Sequence, residues 1–171
     1  MKLREITRAD WPTLLELNLA SVRELSELDE RRLESLLSWA QRGLAVESDR
    51  AIVAFALAIA PGAAYDSDNY RWFGARFERF LYLDRIVVSD AMRRRGIGGQ
   101  LYDAMEATAV GFERMVCEVN LRPPNEASLA FHTSRGYIEI GRLEHAGGKV
   151  VALLTKELAA PARHPPVRLP R

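Results

Sequence analysis

The stretch LYLDRIVVSDAMRRRGIGGQLY, residues 81–102, decides how this chain is read. Its first half is apolar and β-branched around Ile86, Val87 and Val88, which marks a strand. A short polar turn carries Arg93, Arg94 and Arg95 into Gly96, Ile97, Gly98 and Gly99. Apolar residues then recur at Ile97, Leu101 and Met105, the spacing of a helix face. Strand, glycine-bearing turn and helix start together make an anion site. The first N–H groups of a helix lack intrahelical partners, and the helix dipole is positive at that end. Glycine lets a ligand come close to the backbone. Phosphate is the expected ligand, but not in a P-loop or a dinucleotide fold. No GxxxxGK[ST] is present, the glycines do not fit GxGxxG, and the arginines precede them.

The rest of the composition narrows the class. A chain of 171 residues with 48% hydrophobic and 27% charged content suits one globular domain. A net charge of +1 gives no global field toward nucleic acid or a membrane surface, and no nucleic-acid-binding motif surrounds the arginine triplet. The longest apolar run, residues 51–60, is short of the roughly 20 residues that a spanning helix needs. Cys117 is the single cysteine, so an intrachain disulfide is impossible and a reducing compartment fits. With no secretory h-region at the N-terminus, a cytoplasmic protein of bacterial type is expected.

Outward from the central stretch, residues 3–7 read as a strand. Asp10 is placed to cap a helix beginning at Trp11 and Pro12, and Asp29 to cap a second that stops at Gly43. Residues 44–47 and 51–60 form a hairpin about Ser48, Asp49 and Arg50. Residues 61–77 read as a long aromatic-rich loop, and loops of that length tend to be functional. A strand over 79–88, a helix over 97–110, a strand over 115–120 and a helix capped by Asn125 complete the middle of the chain. A closing hairpin spans 137–144 and 149–158. The proline-rich tail, 159–171, is expected to be disordered.

Downstream of the phosphate loop stands NEASLAFHTSRGY, residues 125–137. The pattern Arg93-x-x-Gly96-x-Gly98 resembles the acyl-CoA pyrophosphate loop of the GNAT superfamily of N-acetyltransferases, and residues 125–137 resemble its second signature. The order β-α-α-β-β-β-α-β-α-β-β matches that fold over roughly residues 2–158. The resemblance implies an α/β domain (1–158), a mixed sheet with helices on both faces. It implies acetyl-CoA as cosubstrate, with no metal, and a primary amine of a small molecule or peptide as acceptor. The other class that fits is a non-catalytic acyl-CoA-binding module. Homodimers are common among similar proteins.

Residue by residue, the resemblance gives the pantetheine arm to Ile86, Val87 and Val88, on a strand splayed by a bulge. It gives the pyrophosphate to the backbone from Arg94 to Gly99, with arginine charge nearby, and cofactor contacts to Asn120 and Asn125. His132 stands where many relatives carry a tyrosine that protonates the departing thiolate, so His132 is a candidate acid and a cofactor-wall residue. Asp84 is the candidate base, on a strand face shared with Tyr82, Ile86 and Val88, and Glu118 stands on the adjacent strand. Tyr65, Asp66, Asn69 and Trp72 in the aromatic loop are candidates for the acceptor wall, with Tyr82 and Glu118. No metal-ligand spacing links His132, His145 and His164.

Overall fold

The computed structural model describes residues 1–22 and 25–158, and the proline-rich tail lies outside them. Within these residues the chain forms β1 (Lys2–Glu5), α1 (Trp11–Ala20), α2 (Glu30–Trp39), β2 (Ala40–Ser48), β3 (Ala51–Ile59) and α3 (Asp68–Gly74). After these come β4 (Phe80–Val88), α4 (Ile97–Thr108), β5 (Arg114–Arg122), α5 (Glu126–Ser134), β6 (Ile138–Glu144) and β7 (Val150–Glu157). The strands make one sheet in the order β1-β2-β3-β4-β5-β7-β6. Every pairing is antiparallel except β4 with β5, which the α4 crossover makes parallel. The expected mixed sheet, covered on both faces, is what the chain forms.

Each face has its own apolar core. On one, Leu101, Tyr102 and Met105 of α4 pack on Leu81, Leu83, Met115 and Cys117. On the other, Leu14 of α1, Leu33 and Leu36 of α2, and Tyr70 and Phe73 of α3 pack on Phe55, Leu57 and Tyr82. The central strands β3, β4 and β5 are therefore apolar on both sides, which is why residues 51–60 read as an unbroken hydrophobic run.

Three expectations are corrected. Gly43 does not end α2: the helix stops at Trp39, and Gly43 lies inside β2, opposite Leu57. The loop over 61–77 contains a helix, α3, whose first turn is capped by Ser67 accepting from the Tyr70 N–H. Asp10 does not cap α1 with its side chain. Its carboxylate accepts instead from the Thr7 N–H at 2.7 Å and from both terminal nitrogens of Arg4 at 2.7 and 2.8 Å. A bidentate arginine outcompetes a cap because both bonds are charge-assisted.

That pairing has a pH signature. The Arg4 guanidinium holds the Asp10 carboxyl at about 2, below the roughly 3.9 of an unfolded chain. A depressed carboxyl stabilises the fold above its unfolded pKa, and that contribution fades as pH falls through about 2. Asp10→Ala is expected to cost about 2 kcal/mol at neutral pH and to flatten the acid limb of stability; urea melts across pH measure both.

Two irregularities of β4 open the sheet at its centre. The strand pairs with β5 only from Phe80 to Tyr82, after which the two part. Opposite β3, Leu57 faces Arg85 and Ala58 faces Leu83, so Asp84 is an extra residue, a β-bulge. Before the bulge, Leu81 and Leu83 point toward α4; after it, Ile86 and Val88 do. Tyr82 and Asp84 face the α1–α3 side. The shared face expected for Tyr82, Asp84, Ile86 and Val88 is thus divided, because period-two alternation does not survive an inserted residue.

Candidate active site

Where β4 and β5 part, a cavity of about 700 Å³ opens between the two sheet faces. Its wall includes Ile86, Val87 and Val88 of β4, Glu118 and Asn120 of β5, and Asn125 and His132 of the α5 region. Beyond Tyr82 the β5-facing edge of β4 has no strand partner, so its backbone groups are available to an extended ligand with amides of its own.

One end of the cavity meets the start of α4. Gly96 is the N-cap there, with φ 79°, a left-handed conformation that a side chain would strain. Arg94, at φ 59°, adopts the same region just before it. The N–H groups of Ile97, Gly98 and Gly99 head the helix, and no acidic residue stands in its first turn to answer them. Gly98 lines the cavity directly, and a Cβ there would meet only Phe131, at 3.8 Å. The arginines divide: Arg93 lines the cavity and pairs with Asp90 at 3.0 Å, while Arg94 and Arg95 are exposed and outside its wall. Ile97 turns its side chain into the core, and Gly99 faces Arg135, so both offer the site their backbone only.

His132 sits on the wall, buried, between two fixed partners. Its Nδ1 lies 2.7 Å from the Ser128 carbonyl, which can only accept, so Nδ1 carries the proton. Nε2 of the neutral ring therefore accepts, from the hydroxyl of Tyr102. Burial holds the imidazole below its ordinary pKa, and the charge of Arg135 acts in the same direction. As a neutral ring, His132 has no N–H left for a departing sulfur. The Tyr102, Phe131 and Tyr137 rings surround it edge-on. His132→Phe is expected to take the nitrogen acceptor from the buried Tyr102 hydroxyl, leaving it only the weak Cys117 sulfur, and to destabilise the fold by about 1–3 kcal/mol. Adding Tyr102→Phe should recover most of that loss. A double mutant as unstable as the summed singles would refute the pairing as the cause.

The other end of the cavity is built around carboxylates. Tyr65 donates its hydroxyl to Asp84 Oδ1, and Arg85 donates through Nε to Asp84 Oδ2 at 2.8 Å. Arg85 is itself buried and reaches Asn18 of α1 at 2.7 Å and Ser26 at 3.2 Å. Both oxygens of Asp84 are thereby engaged. Burial and the adjoining Asp84 charge push the Tyr65 hydroxyl well above its usual range, so it stays a donor. Glu118 accepts from Tyr82 at 2.8 Å and from Asn69, and among the described residues no cation is bonded to it. Burial raises its carboxyl to about 7, with the Asp84 charge adding to the rise. Asn69 is held in turn by His145, which donates from Nε2 at 2.9 Å and ties the β6–β7 turn to α3.

Of the aromatic-loop residues singled out in sequence, Tyr65, Asp66 and Asn69 reach this cavity, and Trp72 does not. The Trp72 ring lies against Gly141 of β6, where even a Cβ would come within 2.6 Å of it, and under the Arg76 guanidinium at 3.5 Å. Because the segment is a helix, Trp72 stands about 4.5 Å further along its axis than Asn69, on the side of β6. Sequence reading missed Arg85, Tyr102, His145 and Lys149, all on the cavity wall. A charged Asp-Arg pair inside an apolar strand was a usable signal for Arg85. The turn residues His145 and Lys149 carried none.

A family model described as the acetyltransferase (GNAT) family matches residues 2–137. No match was found among curated proteins. Among solved structures, the chain is similar to the ribosomal-protein-alanine N-acetyltransferase of Brucella melitensis, at 21% identity and TM-score 0.70 over 92% of this chain and 100% of that one. It is similar to the ribosomal-protein-S18-alanine N-acetyltransferase of Escherichia coli, at 14% identity and TM-score 0.72 over 96% and 97%. It is also similar to yncA of Salmonella typhimurium, a structure that holds its cofactor acetyl-CoA, at 19% identity and TM-score 0.70 over 97% and 98%. At these identities the likeness is one of fold.

Proposed function

Because the chain belongs to the GNAT family of acetyltransferases, we propose that it transfers an acetyl group from acetyl-CoA to a primary amine of a small molecule or peptide. The observation that carries this reading is one continuous cavity joining the free α4 N-terminus to the Glu118 carboxylate. An anion fits the first place and an amine the second.

The residues present suit acetyl-CoA. The first N–H groups of α4, with Arg93 beside them, would hold the pyrophosphate, and the open edge of β4 would hold the amides of the pantetheine arm. When bound, acetyl-CoA supplies a thioester carbonyl for the amine to attack and a thiolate that leaves with the electron pair. An alkylamine has a pKa of about 10 and must lose a proton for the transfer. Glu118, with a pKa of about 7, is the group that takes it, since Asp84 is ion-paired with Arg85 while Glu118 has no cation bonded to it among the described residues. Asp84 and Arg85 act as the frame of the acceptor end. A thiol of pKa near 8.5 needs little acid assistance, which agrees with a His132 that has no proton to spare.

The test is a panel of amines with acetyl-CoA, read by release of free thiol. Amine-dependent release supports the reading. Calorimetric binding of acetyl-CoA with no release from any amine would make the protein an acyl-CoA-binding module instead.

A further inference from the structure

Charges at the acceptor end are matched pair by pair except at two side chains. Asp84 meets Arg85 at 2.8 Å, Asp66 meets Arg32 at 2.6 Å, and Asp68 meets Arg71 at 2.7 Å. Glu118 and Lys149 line the same cavity, and among the described residues neither has an ion-pair partner. They are too far apart to pair with each other, yet Lys149 is near enough for its charge to act on the Glu118 carboxyl. Lys149 immediately precedes β7, which runs antiparallel beside β5, and the turn that carries it is pinned to α3 by the His145–Asn69 bond.

A wall with one unmatched carboxylate and one unmatched ammonium is complementary to a molecule carrying both signs. A charge desolvated by a bound ligand is costly unless that ligand answers it. In the transfer reaction, on which this inference rests, the carboxylate of Glu118 is engaged by the amine. Lys149 is then left facing whatever the amine is attached to. We infer that the acceptor is a small amine bearing a carboxylate close to its nitrogen, an amino acid, and that Lys149 is the specificity-determining residue that selects it. A polyamine meets repulsion at Lys149. A peptide N-terminus offers a neutral amide where a carboxylate would be answered.

Thiol release from acetyl-CoA is measured with the proteinogenic L-amino acids, their carboxamides, and the matching amines that lack the carboxyl group. The favoured acid is expected to exceed its amide and its amine about tenfold or more in kcat/KM, the scale of one charge-assisted hydrogen bond, with the difference in KM. Lys149→Met should collapse that ratio toward unity, Lys149→Arg should keep it, and Lys149→Glu should turn it toward the amines. Calorimetric acetyl-CoA binding shows that each variant is folded. Acids, amides and amines used equally well by the unaltered protein would overturn the inference and leave the transferase reading standing. A preference for acids that survives Lys149→Met would overturn the role of Lys149. Thiol release from no amine at all overturns the transferase reading, and this inference with it.

Discussion

Glu118→Gln is expected to lower turnover about a hundredfold near pH 8 while leaving acetyl-CoA affinity within about twofold, the scale for loss of a general base that touches no cofactor. The pH profile separates this from a packing defect. Glu118 titrates at about 7 and must be ionised to accept a proton. Activity should therefore rise as pH passes upward through about 7, and the glutamine variant should lack that limb. Asp84→Asn should shift the limb to lower pH, because the Asp84 charge is one of the causes that lift Glu118. A glutamine variant with undiminished turnover, or with the same acid limb, would remove Glu118 from the reaction.

Gly98→Glu is the second large effect, and it acts at the opposite end of the cavity. The new carboxylate would stand in the first turn of α4 and face the cavity. Its Cβ meets only the Phe131 ring, at ordinary contact distance, and the rest of the side chain has the cavity to enter. Replacing glycine inside a helix and placing an anion near its N-terminus both favour the helix, so thermal stability should hold or rise. Acetyl-CoA affinity should nevertheless fall at least about a hundredfold, because like charges brought together cost several kcal/mol. Calorimetry beside a melting curve gives both numbers. Undiminished affinity in a folded variant would place the pyrophosphate elsewhere.

The two ends of the site differ in how far the sequence foretold them. The cofactor end is local: strand, turn, glycines and helix lie within residues 81–102, and short-range spacing reports short-range geometry. The second motif was legible for the same reason, down to Asn125 as the cap that accepts from the Ser128 N–H. The acceptor end is assembled from β4, β5, the segment before α3 and the β6–β7 turn, so no spacing along the chain announces it. Asp84 and Glu118 were both visible as candidates, but which of them is paired with a cation depends on where the Arg85 side chain turns, and only tertiary structure settles that. Trp72 misled because α3 was hidden in an aromatic-rich segment that lacks an apolar periodicity long enough to detect. His132 was legible as a position, while its proton depended on Ser128 and on Tyr102 across the helix interface.

The sheet itself has no need of Asp84. Leu83 and Arg85 already face neighbouring residues of β3, so a strand lacking the residue between them would keep its ladder. Ile86 and Val88 would still turn toward α4, and Arg85 toward α1. What the shorter strand would lose is the carboxylate bonded to the buried Arg85 guanidinium, and with it the acceptor for Tyr65. Asp84 thus adds nothing to the ladder; what it gives the fold is the counter-charge of Arg85. Removing Ile86 or Val87 instead has the opposite character, since it reverses the alternation on one side of the gap and trades apolar side chains for polar ones. Length changes along this one strand therefore differ in kind: at Asp84 they keep the ladder but leave a buried guanidinium without its counter-charge, and at Ile86 or Val87 they turn apolar side chains out of the core as well.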